Sequence, residues 1–324
     1  MCFAFASGPL AEPGLIAGQA KRAALEGDVL IACKNPLNLY ERIASELARA
    51  GVSCAVRASV PFGETGFGRM FLALRRCLTV EPWDPALLTD VLLSPLSGTS
   101  KRNARELDAR MRSNRLVARE ECLSALRASS ERFSLLEELA SDPDADVLIG
   151  TFEDMVARMA RCSEAYRAEQ RAALKTLRGV LSAARSVEVD MEAASRLLER
   201  ARVDVSRALA APSQQAPSVT IMSQADAAAC GPQSCATLIV ANLTSDCYPA
   251  TDARNAAATL LARLGIEAAD DALARARRTF NRLLHAPTDC LVVERSLHGP
   301  DAADAYPCAV WEEFVEIKRK IKKY

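Results

Sequence analysis

Two short apolar runs in the second half of the chain, VTIM at 219–222 and ATLIVANL at 236–243, constrain the fold more than any other feature. Both are rich in Val, Ile and Thr and bounded by turn residues, the pattern of strands buried in an α/β sheet. Between them lies a stretch of small residues with a Gly-Pro breaker at 231–232. In an α/β protein such a connection, at the carboxyl end of a strand, is where ligand chemistry is usually held. Here it offers little: Ser223, Gln224 and Asp226, then alanines, Cys230 and Gly231. A site-like position filled with site-poor residues is the first indication of function.

The beginning of the chain supplies the rest of a sheet. CFAFA at 2–6 reads as a strand closed by Ser7-Gly8-Pro9, and residues 15–26 as a helix. DVLIAC at 28–33 is a second strand, followed by Asn35 as helix N-cap and Pro36 at the first helical position. Leu39, Ile43 and Leu47 mark the buried face of that helix, Gly51 ends it, and 52–57 is a third strand. Strand–helix–strand with short connections implies parallel pairing. From Phe67 the pattern is helical, with stripes at Met70, Leu74 and Leu78 and at Leu87, Val91, Leu92 and Leu96, and it stays mostly helical from 101 to about 211. DVLIGT at 146–151 fits a strand or a helix entry equally. After 219 come helices at 256–264 and 272–284, a strand at 290–295, and a last helix at 311–324. The fold class is α/β, a parallel sheet flanked by helices and interrupted by a helical insertion. The segments are 1–100, 101–216 and 217–324.

Lysine plus arginine equals aspartate plus glutamate at 41 each, so no overall field favours nucleic acid or membrane. No run approaches the roughly 18 apolar residues of a membrane span, and no basic segment precedes the apolar N-terminus, which points to a soluble, cytoplasmic protein. The eleven cysteines contain no CxxC pair. Their odd number and their placement inside strands and helices suit reduced, buried thiols. The tightest cluster, Cys230, Cys235 and Cys247 with Cys308 further on, matches no zinc spacing, and His285 and His298 are the only histidines.

Other motifs are weak. No G-x-x-x-x-G-K-[ST] occurs. The glycines at 63, 66 and 68 lack the phosphate-binding lysine and suit a turn. Asp142, Asp144 and Asp146 do not carry the offsets of a calcium loop and read as an acidic helix start. His298 lies beside Asp301 with no nominated serine. One charged patch stands out: Lys101, Arg105, Arg112, Arg115 and Arg119 recur at spacings that place them on one helical face. Such a stripe is either a solvated face or a phosphate-backbone contact.

Four stretches in order carry a resemblance: DVLIACKNPLNLYERIASELARAGVSCAVRASVPFGETGFGRMFLAL, WDPALLTDVLLSPLSG, VTIMSQADAAACGPQSCATLIVANLTSDCYP and RRTFNRLLHAPTDCLVVERS. Together they resemble the second motor half of superfamily-one (UvrD-like) DNA helicases, and most closely the B subunit of AddAB-type (RexAB-like) helicase–nucleases. The resemblance implies a RecA-like fold, with Lys34, Asn35, Asp226, Gly231, Arg278 and Arg282 at worn helicase-motif positions. Where that family's motif VI carries an arginine finger, this chain has His285 and Ala286. The implied function is a non-catalytic domain of a DNA-repair complex, with DNA and a catalytic helicase–nuclease subunit as partners and no membrane. ATP and magnesium would belong to the complete complex, with no cofactor in this chain. DNA contacts would fall on Lys101, Arg105, Arg112, Arg115, Arg119, Ser223 and Gln224. The alternative is a free-standing α/β nucleotide-binding enzyme or regulator with its ligand at the strand ends near Ser223.

Overall fold

The structure, a computed structural model, describes residues 1–79, 85–113, 119–130, 132–142, 146–159, 162–209, 218–248 and 272–321. The chain forms two compact units, one of Met1–Ala58 with Arg207–Tyr324 and one of Ser59–Ser206. The helices after Phe67, grouped with segment 1–100 in the sequence, therefore belong to the second unit.

The first unit is built on parallel strands. β1 (Cys2–Ala6), β2 (Val29–Cys33), β3 (Ser53–Pro61), β4 (Arg202–Leu209), β5 (Ser218–Ser223), β6 (Cys235–Val240) and β7 (Pro287–Ser296) lie in one sheet in the order β1-β7-β6-β2-β5-β3-β4. Pairing is parallel from β1 through β7, β6, β2 and β5 to β3. β2 is buried at all five positions, as expected of a strand with helices on both faces. On one face, α1 (Glu12–Ala23) and α2 (Pro36–Arg49) pack Ile16, Ala20, Ile43 and Leu47 against Ile31, Ile221 and Val292. On the other, α11 (Gln224–Ala229), α12 (Ala272–Leu283) and α13 (Ala309–Ile321) pack Ala227, Phe280, Leu283 and Phe314 against Leu30, Leu238 and Val293.

Several boundaries differ from the sequence reading for local reasons. α1 starts at Glu12, because Pro13 suits a first turn. α2 ends as expected: Gly51 sits at φ +80°, and Val52 N–H bonds back to Leu47 O at 3.0 Å. Asn35 precedes α2, but its side chain makes no capping bond. The helical block does not run to 211, because residues 202–209 form β4. Val203 and Val205 are buried while Arg202, Asp204 and Ser206 are exposed, a period of two that the surrounding helical sequence masks. The expected helix at 256–264 lies outside the described residues.

The second unit is helical: α3 (Gly66–Thr79), α4 (Pro85–Leu93), α5 (Lys101–Ser113), α6 (Arg119–Ser129), α7 (Phe133–Ser141), α8 (Asp146–Ala157), α9 (Glu164–Ser186) and α10 (Met191–Arg200). The ambiguous run at 146–151 is helix, since Ile149, Phe152 and Val156 bury one face at three- and four-residue spacing. Phe62, Phe67, Phe71 and Phe152 form the aromatic centre, with ring centroids 5.9 to 6.4 Å apart. Each such buried ring contributes roughly 1.5–3 kcal/mol. Among the described residues, no helix is long and apolar enough to cross a membrane.

Candidate functional site at the carboxyl edge of the sheet

The β5–β6 connection is more ordered than its composition suggests. Residues 224–229, expected to be loop, form α11. Ser223 caps it: its Oγ accepts Asp226 N–H at 3.1 Å and donates to Asp226 Oδ2 at 2.6 Å. A capped turn of alanines packs Ala227 and Ala228 on the sheet, so helix is favoured over loop. Gly231, at φ +87°, then turns the chain into β6. Gln224, expected at a DNA surface, is buried, and its Nε2 has no partner among the described residues.

The second worn motif lies at the amino edge of the sheet, at the end of α12. Arg278, Arg282 and His285 are exposed, while Ala286 is buried. His285 O and Ala286 O accept the N–H groups of Gln233 and Ser234 at 2.9 and 2.8 Å. Arg282 and His285 line an open 570 Å³ cleft with Ala228, Ala229, Gly231 and Pro232. The cysteine cluster is divided. Cys230 lies before β6 and Cys235 opens it, while Cys247 and Cys308 lie beyond its carboxyl end, where Cys308 N–H bonds Leu243 O at 3.1 Å. Among the described residues no group of three or more His, Cys, Asp or Glu side chains is arranged to hold a metal ion. Burial pushes the thiol of Cys235 up to about 11 and that of Cys33 to about 12, which keeps both protonated and unreactive.

The carboxyl edge is where polar groups converge. The segments that follow β1, β2, β6 and β7 enclose a 380 Å³ cleft. Residues after β2 enter α2 on one face, and α12, which leads into β7, packs on the other. Adjacent strands whose connections depart to opposite faces open a crevice at their carboxyl ends.

Lys34 and Asn35 begin one wall. Lys34 N–H bonds Asn242 Oδ1 at 3.2 Å, and Lys34 Nζ lies 5.7 Å over the ring of Tyr248. Asn242 has φ +63°, a left-handed conformation that asparagine tolerates. Its N–H bonds Glu294 Oε2 at 3.1 Å. Glu294 is 1 % exposed, and its other oxygen, Oε1, has no donor among the described residues. The Glu12 carboxyl is in hydrogen-bonding contact with it, and Glu12 in turn accepts Ser296 Oγ–H at 3.3 Å. Burial first, and the charge of Glu12 second, push Glu294 from 4.5 up to about 8. At neutral pH the Glu294 carboxyl therefore retains its proton. His298 stands at the rim, 3.3 Å from Asp304.

Glu12, Asn242 and Glu294 were not singled out by the sequence. The one available signal was Glu294 itself, a carboxylate inside the apolar run LVVERS.

In the second unit, the glycines at 63, 66 and 68 serve packing. Gly68 N–H bonds Thr65 Oγ1 at 3.0 Å, and Phe67 N–H is capped by the buried Gln170 side chain. Free amides at the start of α3 are thus already engaged within the protein. Of the basic residues expected on one helix face, Lys101, Arg105 and Arg112 lie on α5, and Arg119 opens α6. Lys101 and Arg105 are exposed on α5, and Arg112 pairs with Asp108 at 3.0 Å. Arg115 and the Arg119 side chain lie outside the described residues. Asp146 opens α8 and meets Arg185 at 3.2 Å, the acidic helix start expected. No family model matches the chain, and no curated protein matches its sequence.

Proposed function

We propose that the chain is a non-catalytic, RecA-like domain of a DNA-repair helicase–nuclease subunit, which braces a catalytic partner and holds DNA during double-strand-break processing. The observation that carries this reading is the inserted unit. The chain leaves a parallel sheet in β3, builds eight helices among the described residues, returns in β4 and then completes the sheet. The stretches that resemble superfamily-one helicases fall in the same order on β2–α2–β3, β5–α11–β6 and α12–β7.

The chemistry of the motif positions supports a role without turnover. Ser223 and Asp226 are tied to each other as a helix cap. The position of the arginine finger is a buried alanine. ATP and magnesium would then be bound by the partner. A nucleotide ligand near Ser223 has less support, because that hydroxyl is already committed to the cap.

DNA-stimulated ATP hydrolysis by the purified chain is the test. The expected result is no turnover above background. Turnover that rises with single-stranded DNA and follows the protein through a second chromatographic step would sink the proposal.

A further inference from the structure

We infer that the outer edge of the sheet, strand β1 with helix α13 beside it, is a docking surface for a second copy of this chain. The two copies join edge to edge, β1 against β1 and antiparallel. The inference goes beyond the role in DNA repair proposed above and does not depend on it.

β1 is the terminal strand of the sheet and pairs with β7 on its inner side. The register decides which of its backbone groups are left over. Leu297 N–H bonds Ala6 O at 2.8 Å, and Ala6 is level with Ser296. In a parallel ladder, successive residues bond to opposite sides of the strand. Cys2, Ala4 and Ala6 therefore bond to β7, while Phe3 and Phe5 turn their N–H and C=O groups to the open edge. Among the described residues nothing bonds those groups. An edge of this kind is a template for another strand.

The pattern is self-complementary. Laid antiparallel about Ala4, two β1 strands place Phe3 of each copy opposite Phe5 of the other, and each such pair exchanges both N–H···O bonds. The rings of Phe3 and Phe5 stand on the face that carries Trp311, 5.0 and 5.6 Å from it. Phe5 is 51 % exposed, and the ring opposite it would cover that surface. The contact is isologous, the geometry of a two-fold dimer.

Helix α13 supplies a second, independent observation. A two-fold axis normal to the sheet keeps the α13 of both copies on the same face, side by side and antiparallel. Glu313 turns inward to Arg277 of α12 at 2.7 Å, and Arg295 is stacked on Phe5 and Trp311. The other charges of α13 divide along its axis, Glu312 and Glu316 before Lys318 and Arg319. A second copy brings the acidic half of one helix to the basic half of the other, and both halves are matched at once. An unrelated acidic or basic strand would match only one of them.

Sedimentation velocity of the whole chain over a concentration series is the test. A dimer in equilibrium with monomer is expected, and Phe5→Lys should weaken it at least tenfold without changing the circular dichroism spectrum. Two charge variants guard against a fold effect at Phe5. Glu312→Arg with Glu316→Arg makes that face of α13 basic at both ends, and Lys318→Glu with Arg319→Glu makes it acidic at both ends. Each should be monomeric alone, and an equimolar mixture of the two should dimerise. A wild-type chain that stays monomeric at ~100 µM, weaker than a specific contact requires, would overturn the inference and leave the edge to a different protein. So would a dimer that Phe5→Lys leaves intact, or a mixture of the two charge variants that stays monomeric.

Discussion

Replacing Glu294 by glutamine should make the first unit less sensitive to alkaline pH. In the folded chain the carboxyl titrates near 8, against 4.5 for an unperturbed glutamate. A carboxyl raised by folding stabilises the native state fully below the unfolded value, and that contribution is lost as pH rises through the folded value. At about 1.4 kcal/mol per pH unit of displacement, the loss between pH 5 and pH 8 is about 3 kcal/mol. Glutamine is isosteric and uncharged. Its carbonyl can accept the Asn242 N–H, and its amide can donate to Glu12. Urea unfolding in a Trp83→Phe background, so that Trp311 reports, should show wild type losing about 3 kcal/mol relative to Glu294→Gln over that range. A difference between the two proteins that stays constant with pH would refute the protonated carboxyl pair.

Two further predictions concern the second unit. Gly68→Ala places a Cβ 1.8 Å from Phe62 O, a backbone atom that cannot yield; it should cost several kcal/mol (about 3 or more) and lower the thermal midpoint by circular dichroism. An unchanged midpoint would show that the turn at 62–68 relaxes freely. Gln170→Leu removes the group that caps Phe67 N–H and should cost about 1–3 kcal/mol, with faster amide exchange at the start of α3. Unaltered exchange at Phe67 would mean the cap is not held in solution.

The sheet was readable because its strands are continuous apolar runs, of which β2 is the clearest, and because Pro36 and Gly51 bracket α2. β4 was not. Its signal is two buried valines in a charged strand, attached to a long helical segment. α11 was hidden by composition, since six residues capped by Ser223 read as a loop of small side chains until Ala227 and Ala228 are seen to pack. The cleft was the least legible feature. Glu12 precedes the residues it meets by almost the whole chain, the Ser296 bond spanning 284 positions, and nothing in local periodicity links them. Only the parallel order of β1, β7, β6 and β2 brings those ends together.

The central claim is that this domain holds DNA by charge without using nucleotide. It is tested most directly by the anisotropy of labelled single-stranded DNA titrated with the chain at rising salt, with and without ATP and magnesium. Lys101 and Arg105 are exposed on α5. Two phosphate contacts on a single strand give a slope of about −1.4 in log affinity against log salt. The account predicts a slope near that value, unaffected by ATP, and close to zero in a Lys101→Glu, Arg105→Glu protein. Absence of binding at low salt, or an affinity that changes with ATP, would contradict it.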